Sequence, residues 1–153
     1  MTDFTNAVLL SIFISFPEVI WVLLFGFTLT GMKVKIKNVI LIALIQTLIA
    51  FLVNILNIRL GIHTIIQSAT TCLLVALVLK IKLYHAMLPV LIGVLTQGIM
   101  QVTQYSLVVL LFSQFDATQL CVNFKITFIF QIPIIILSIL LLLIVKKKNI
   151  TIL

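Results

Sequence analysis

The sequence predicts an all-α integral membrane bundle of five transmembrane helices. Three observations lead there. Of 153 residues, 63% are hydrophobic and only 8% are charged, where a soluble domain carries about a quarter charged residues. Five apolar stretches approach the length of about 20 residues that a helix needs to cross a bilayer. The stretches are continuous and do not alternate, which selects helices over a barrel. The same composition excludes a disordered chain, which requires low hydrophobicity and high charge. Ten Lys and Arg and three acids are also too few to cover a water-soluble globule. Residues 1–153 therefore read as one transmembrane helical domain.

The stretches run roughly over residues 6–30, 39–57, 62–79, 86–112 and 123–145, and each break carries a stop signal. Gly31 precedes Lys33, Lys35 and Lys37. Asn57, Arg59 and Gly61 mark the second break; Lys80, Lys82 and His85 mark the third. The fourth, Ser113 to Val122, is the one polar loop of any length. Asp3 before the first stretch and lysines after it oppose the basic front of a secretory signal peptide, so this stretch is expected to be retained.

Orientation follows from counting Lys and Arg in short loops. With the N-terminus outside, the inner side holds Lys33, Lys35, Lys37, Lys80, Lys82, Lys146, Lys147 and Lys148, and the outer side Arg59 and Lys125. The C-terminus is then cytoplasmic, and the protein is a multi-pass protein of the cell membrane. The net charge of +7 records this topology, and no nucleic-acid partner is expected.

Little else carries chemistry. Cys72 falls in the third stretch and Cys121 in the outer loop, about half a bilayer apart in depth and beyond the ~7 Å Cα limit of a disulfide. No metal spacing, phosphate loop, nucleophile set or paired carboxylate is present. The sequence predicts no catalytic residues, no metal, no cofactor and no enzyme. The Asn149-Ile150-Thr151 sequon lies on the expected cytoplasmic tail and is set aside.

The informative residues are polar ones inside the apolar stretches. Ser11, Ser15 and Glu18 lie in the first; Gln46, Ala50, Asn54 and Asn57 in the second; His63, Gln67 and Thr70 or Thr71 in the third. Pro89, Gly93, Gln97, Gln101 and Gln104 lie in the fourth, and Thr127, Gln131 and Ser138 in the fifth. Steps of three and four put each set on one helix face. Such residues hold membrane bundles together at about 0.6 kcal/mol per hydrogen bond. Helix association alone does not explain their placement, because on this topology most fall in the outer half, with Gln46 and Ser138 inside. An outward-facing polar cavity is expected, with Glu18, His63, Gln67, Gln97, Gln101, Gln104 and Gln131 as candidate ligand-binding residues.

Glu18 is the sharpest feature. An ionised carboxylate at mid-membrane costs about 2.5 kcal/mol or more, so it must be protonated or paired. No Lys or Arg lies at its depth, leaving Gln46, Gln97 or water. Pro17 before it removes a backbone bond to Phe13, and Pro17 and Pro89 are candidate hinges. Pro133 is expected to bend the fifth helix. His63 opens the third stretch at the outer interface, where it would sense pH or an anionic ligand. Trp21 lies mid-span, which suits packing or cavity lining.

Between Phe16 and Leu95 the chain resembles the N-terminal multi-span membrane region of GHKL-type sensor histidine kinases of Firmicutes. The likeness rests on Phe16-Pro17-Glu18 opening a run that ends at Gly31, on Leu60-Gly61-Ile62-His63-Thr64, and on Leu79-Lys80-Ile81-Lys82. The resemblance implies a bacterial two-component sensor region that receives a signal and passes it to a cytoplasmic kinase. It also marks Pro17, Glu18, Gly61 and His63. No phosphoacceptor helix or ATP-binding boxes follow Lys146-Lys147-Lys148, so the expectation is a sensor region without its kinase.

The expected function is thus a membrane sensor or regulatory module. It would bind an external signal in the cavity and act on a cytoplasmic or membrane signalling partner at the inner face, in contact with lipid and open to homo-oligomerisation. The alternative is a small transporter component or channel using Glu18 as a proton or substrate site.

Overall fold

The structure is a computed structural model that describes residues 4–56, 60–111 and 124–148. The Asn57 and Arg59 break, the Ser113–Val122 loop with Cys121, Asp3 and the Asn149 sequon lie outside the described residues. Among those described, the regular structure is entirely helical. The elements are α1 (Phe4–Leu10), a π turn (Ser11–Ser15), α2 (Phe16–Leu29), α3 (Ile36–Ile55), α4 (Leu60–Leu79), α5 (Leu83–Leu111) and α6 (Phe124–Lys147). α1, the π turn and α2 form one continuous helix, because Leu10 and Ser15 at the junctions both keep right-handed helical angles.

Among the described residues, three stretches are long and apolar enough to cross a membrane: Val8–Leu29, Ile36–Val53 and Leu83–Thr103. α4 contributes a shorter apolar run, Thr64–Leu79. The outward faces agree with this. Leu44, Leu48, Leu52, Leu77, Leu95, Leu140 and Leu143 are all exposed, a surface that suits hydrocarbon and not water. Together these features suggest a membrane protein.

α2, α3, α4 and α5 pack in a ring, each against the next and α5 back against α2, while α6 lies outside the ring against α1 and α2. The ring encloses a dry core built from Val19, Leu23, Phe27, Val39, Ile42, Ala43, Cys72, Val75, Ala86 and Val90. A second cluster of Trp21, Val22, Phe25 and Val145 joins α2 to α6. α2 and α5 approach most closely. A Cβ at Gly26 would overlap the Pro89 carbonyl, and one at Gly93 the Val22 carbonyl. Small residues let membrane helices touch backbone to backbone. Pro89 is fully buried there.

Two turns at the basic end close in the same way. After α2, Gly31 takes φ 67°, its N–H donates to Thr28 O, and the Met32 N–H donates to Phe27 O. This paired closure of a helix C-terminus needs a left-handed residue. After α4 the same position falls to Lys80, at φ 53°, with the Ile81 N–H donating to Ala76 O. Met32 and Ile81 then pack on the core. A side chain in this conformation costs about 1 kcal/mol, so Lys80 is held there by the packing of Ile81.

Gly26→Val should lower stability by about 1–3 kcal/mol, whereas Gly98→Val should be near neutral, since a Cβ at Gly98 meets nothing within 4 Å. Lys80→Gly should stabilise by about 1 kcal/mol. Thermal unfolding in detergent micelles checks all three.

Candidate functional site

The site begins with an irregularity that the sequence imposes. Pro17 has no N–H to give to Phe13 O. The helix responds with the π turn, in which the Phe16 N–H reaches back five residues to Ser11 O. Single π turns inside α-helices often mark functional positions. The extra residue rotates α1 against α2. The Ser11, Ser15 and Glu18 stripe, evenly spaced along the chain, is therefore redistributed: Ser11 is buried, Ser15 and Glu18 half-buried. Glu18 emerges one residue after the proline, in the first turn of α2.

α5 meets it. Gln101 donates from Nε2 to Glu18 Oε1 at 2.8 Å, and Gln97 lies one turn earlier on the same face of α5. Glu18 is the one acid among the described residues. The Gln101 amide holds it, and among the described residues no cation does. The bond that forms is to Gln101, which was not among the expected partners, and Gln46 is engaged elsewhere.

Gln46 and Gln97 are both buried, and their surroundings differ. Gln46, fully buried in α3, donates from Nε2 to the Gln67 backbone carbonyl at 3.2 Å and accepts the Thr70 hydroxyl at 3.1 Å on Oε1. The Thr70 hydroxyl also lies within reach of Ile66 O and Gln67 O. It has one proton, and Gln46 is the acceptor that depends on it. Both ends of this amide are satisfied, so Gln46 acts as a fastener between α3 and α4, at the level of Gln67. Gln97 is 4% exposed, yet its Oε1 is buried with no hydrogen-bond partner among the described residues. A buried acceptor without a donor costs about 1–3 kcal/mol. What stands beside it is a carboxylate, another acceptor.

The remaining candidates are dispersed. Gln67 sits half-buried on α4, where its backbone carbonyl also accepts the Thr71 hydroxyl at 2.7 Å. Gln131 is buried on α6. His63 lies in the first turn of α4 and Gln104 in α5, but their side chains, like that of Asn54, lie outside the described residues. Trp21 has a packing role. Its Nε1 donates to the Ser138 carbonyl of α6 at 2.8 Å, and its ring stacks on Phe25 at 5.0 Å. Ser138 in turn directs its hydroxyl to Met100 Sδ at 3.9 Å. Sequence reasoning missed Gly26, which resembles any apolar-span glycine until Pro89 is placed against it. It also missed the π turn, whose signal was Pro17 itself.

The chain matches no family model, and no curated protein or solved structure is significantly similar to it. Nothing in these comparisons links it to the sensor kinases that its short motifs resemble.

Gln101→Leu should lower stability by about 1 kcal/mol, and a double-mutant cycle with Glu18→Leu should give a coupling of about 0.5–2 kcal/mol. The cycle of Glu18 with Gln46 should give none. Trp21→Phe should cost about 1 kcal/mol through the lost bond to α6. Denaturant titration in mixed micelles measures each.

Proposed function

We propose that the chain is a five-span membrane protein with its N-terminus outside and its C-terminus in the cytoplasm. In this reading it serves as a sensor or regulatory module whose signal is received at Glu18, Gln97 and Gln101. One observation carries it: Gln97 Oε1 is buried and without a donor among the described residues, one turn from the Gln101 that binds the Glu18 carboxylate. Either a proton on Glu18 or a donor group on a bound ligand completes this acceptor, and the site is unbalanced until one arrives. Helix association alone would favour the fully satisfied arrangement seen at Gln46.

The route outward from the site supports regulation. Glu18 lies on the α2–α5 seam, and the seam continues through Val22–Gly93 and Gly26–Pro89 toward the basic end. α2 then leads into Lys33, Lys35 and Lys37, and α5 begins just after Lys80 and Lys82. Two helices in backbone contact move together, so a change at Glu18 reaches both basic turns, where an acidic face of a signalling partner would dock. Transport is the second reading, favoured by the same half-buried carboxylate, which could carry a proton.

Two measurements separate the readings. Cysteines placed at Gln67 and Gln101 should react with a membrane-impermeant maleimide added to intact cells; silence at both would remove the outward-facing cavity. In proteoliposomes under a proton gradient, the sensor reading expects no flux. Flux that Glu18→Gln abolishes would instead establish transport.

A further inference from the structure

On the outer surface of the ring, α4 and α5 leave an open apolar groove of about 590 Å³. Ile65, Ala69 and Leu73 line it from α4, and Leu83, Met87 and Leu91 from α5, with Cys72 as its buried floor. Each helix contributes every fourth residue, so the two walls run straight along the helix axes. Small Ala69 and Ser68 between larger neighbours give the groove its depth. From Leu83 to Leu91 the α5 wall rises about 12 Å, and the α4 wall carries it further to Thr64. The α5 wall alone is close to the hydrocarbon depth of one leaflet, half of about 30 Å.

The lower end of the groove differs from the rest. Leu83 is bracketed by the exposed Lys80, Lys82, Tyr84 and His85. Lys82 Nζ lies 6.0 Å from the Tyr84 ring centroid, and the Tyr84 ring leans on His85 at 4.1 Å. The left-handed closure at Lys80 fixes where this lysine leaves the helix. α5 starts here with no acid in its first turn, so its positive dipole end adds to the lysines. An occupant must therefore be apolar over one leaflet and anionic at one end. A helix of a second copy meets the first demand and not the second, since every described loop residue with a charge at this end is a lysine.

We infer that this groove is a binding site for an anionic glycerophospholipid of the inner leaflet, one acyl chain lying between α4 and α5 and the phosphate resting on Lys80 and Lys82. The inference rests on the proposed membrane topology and not on the Glu18 site.

The test uses the full chain in vesicles of equal parts phosphatidylglycerol and phosphatidylcholine, with a diazirine in the acyl chain of one lipid or the other. Adducts should map to residues 64–73 and 83–91 and favour the phosphatidylglycerol probe. A lysine at a membrane surface is worth about fivefold in anionic lipid affinity, so Lys80→Gln with Lys82→Gln should reduce that preference about 25-fold. Ala69→Trp should fill the groove and remove these adducts, while Leu140→Trp on the exposed face of α6 leaves them. Equal labelling by both probes in the unaltered protein would overturn the proposal, as would labelling unchanged by Ala69→Trp or crosslinks between two copies at these residues. Release of the unaltered protein from membranes by alkaline extraction would overturn the topology and the lipid site together. Retention in the membrane with equal labelling overturns the lipid site alone.

Discussion

The close approach of α2 and α5 constrains everything around it. Where Gly26 faces the Pro89 carbonyl and Gly93 faces the Val22 carbonyl, no side chain separates the two helices. Such a contact leaves neither helix free to rotate about its axis without collision. It therefore sets the angular position of every other residue on both. Glu18, two turns before Gly26, must face α5, and Gln97, one turn after Gly93, must face α2. The Glu18–Gln101 bond is a consequence of that seam as much as a contributor to it. Below it, the dry core of Leu23, Phe27, Ile42, Val75 and Val90 fills the space that the seam leaves in the ring.

The polar residues within the bundle divide into two kinds by whether their bonding is complete. Gln46 with Gln67 and Thr70, and Trp21 with Ser138, are closed arrangements. Each ties one helix to a neighbour and asks for nothing more. The Glu18 cluster is open: Gln101 binds the carboxylate, and the amide oxygen of Gln97, one turn away, has no donor among the described residues. A membrane interior offers little water to repair such a deficit. An incomplete set placed beside a proline and a π turn is where a proton or a ligand changes the local balance most.

Much of this was legible in advance. Composition alone pointed to hydrocarbon as the solvent of the outer faces, and the first, second and fourth apolar stretches correspond to helices of spanning length. Gly31 was readable as a stop because the left-handed closure suits glycine. Lys80 was not, because its φ of 53° depends on Ile81 finding the core. The stripe on α5 was correct in selecting Gln97 and Gln101, since steps of four share a face on an uninterrupted helix. The stripe on the first span did turn inward, with Ser11 buried and Ser15 and Glu18 half-buried, but its even spacing was lost. Pro17 displaced the register by a π turn, and regular spacing cannot report an inserted residue.

By itself the sequence determined which residues are helical, where the lysines gather and which polar side chains must be hidden from lipid, because these follow from local periodicity and the cost of charge in hydrocarbon. It could not determine the pairing of those side chains. Gln46 and Gln97 have the same chemistry and similar apolar flanks, and nothing local distinguishes a fastener from an unfinished site. Only the tertiary structure decided that Gln46 meets a threonine hydroxyl on α4 while the oxygen of Gln97 meets no donor among the described residues. The physical reason is that a hydrogen bond is satisfied by what stands opposite, and what stands opposite was set by two glycines that let α2 and α5 touch.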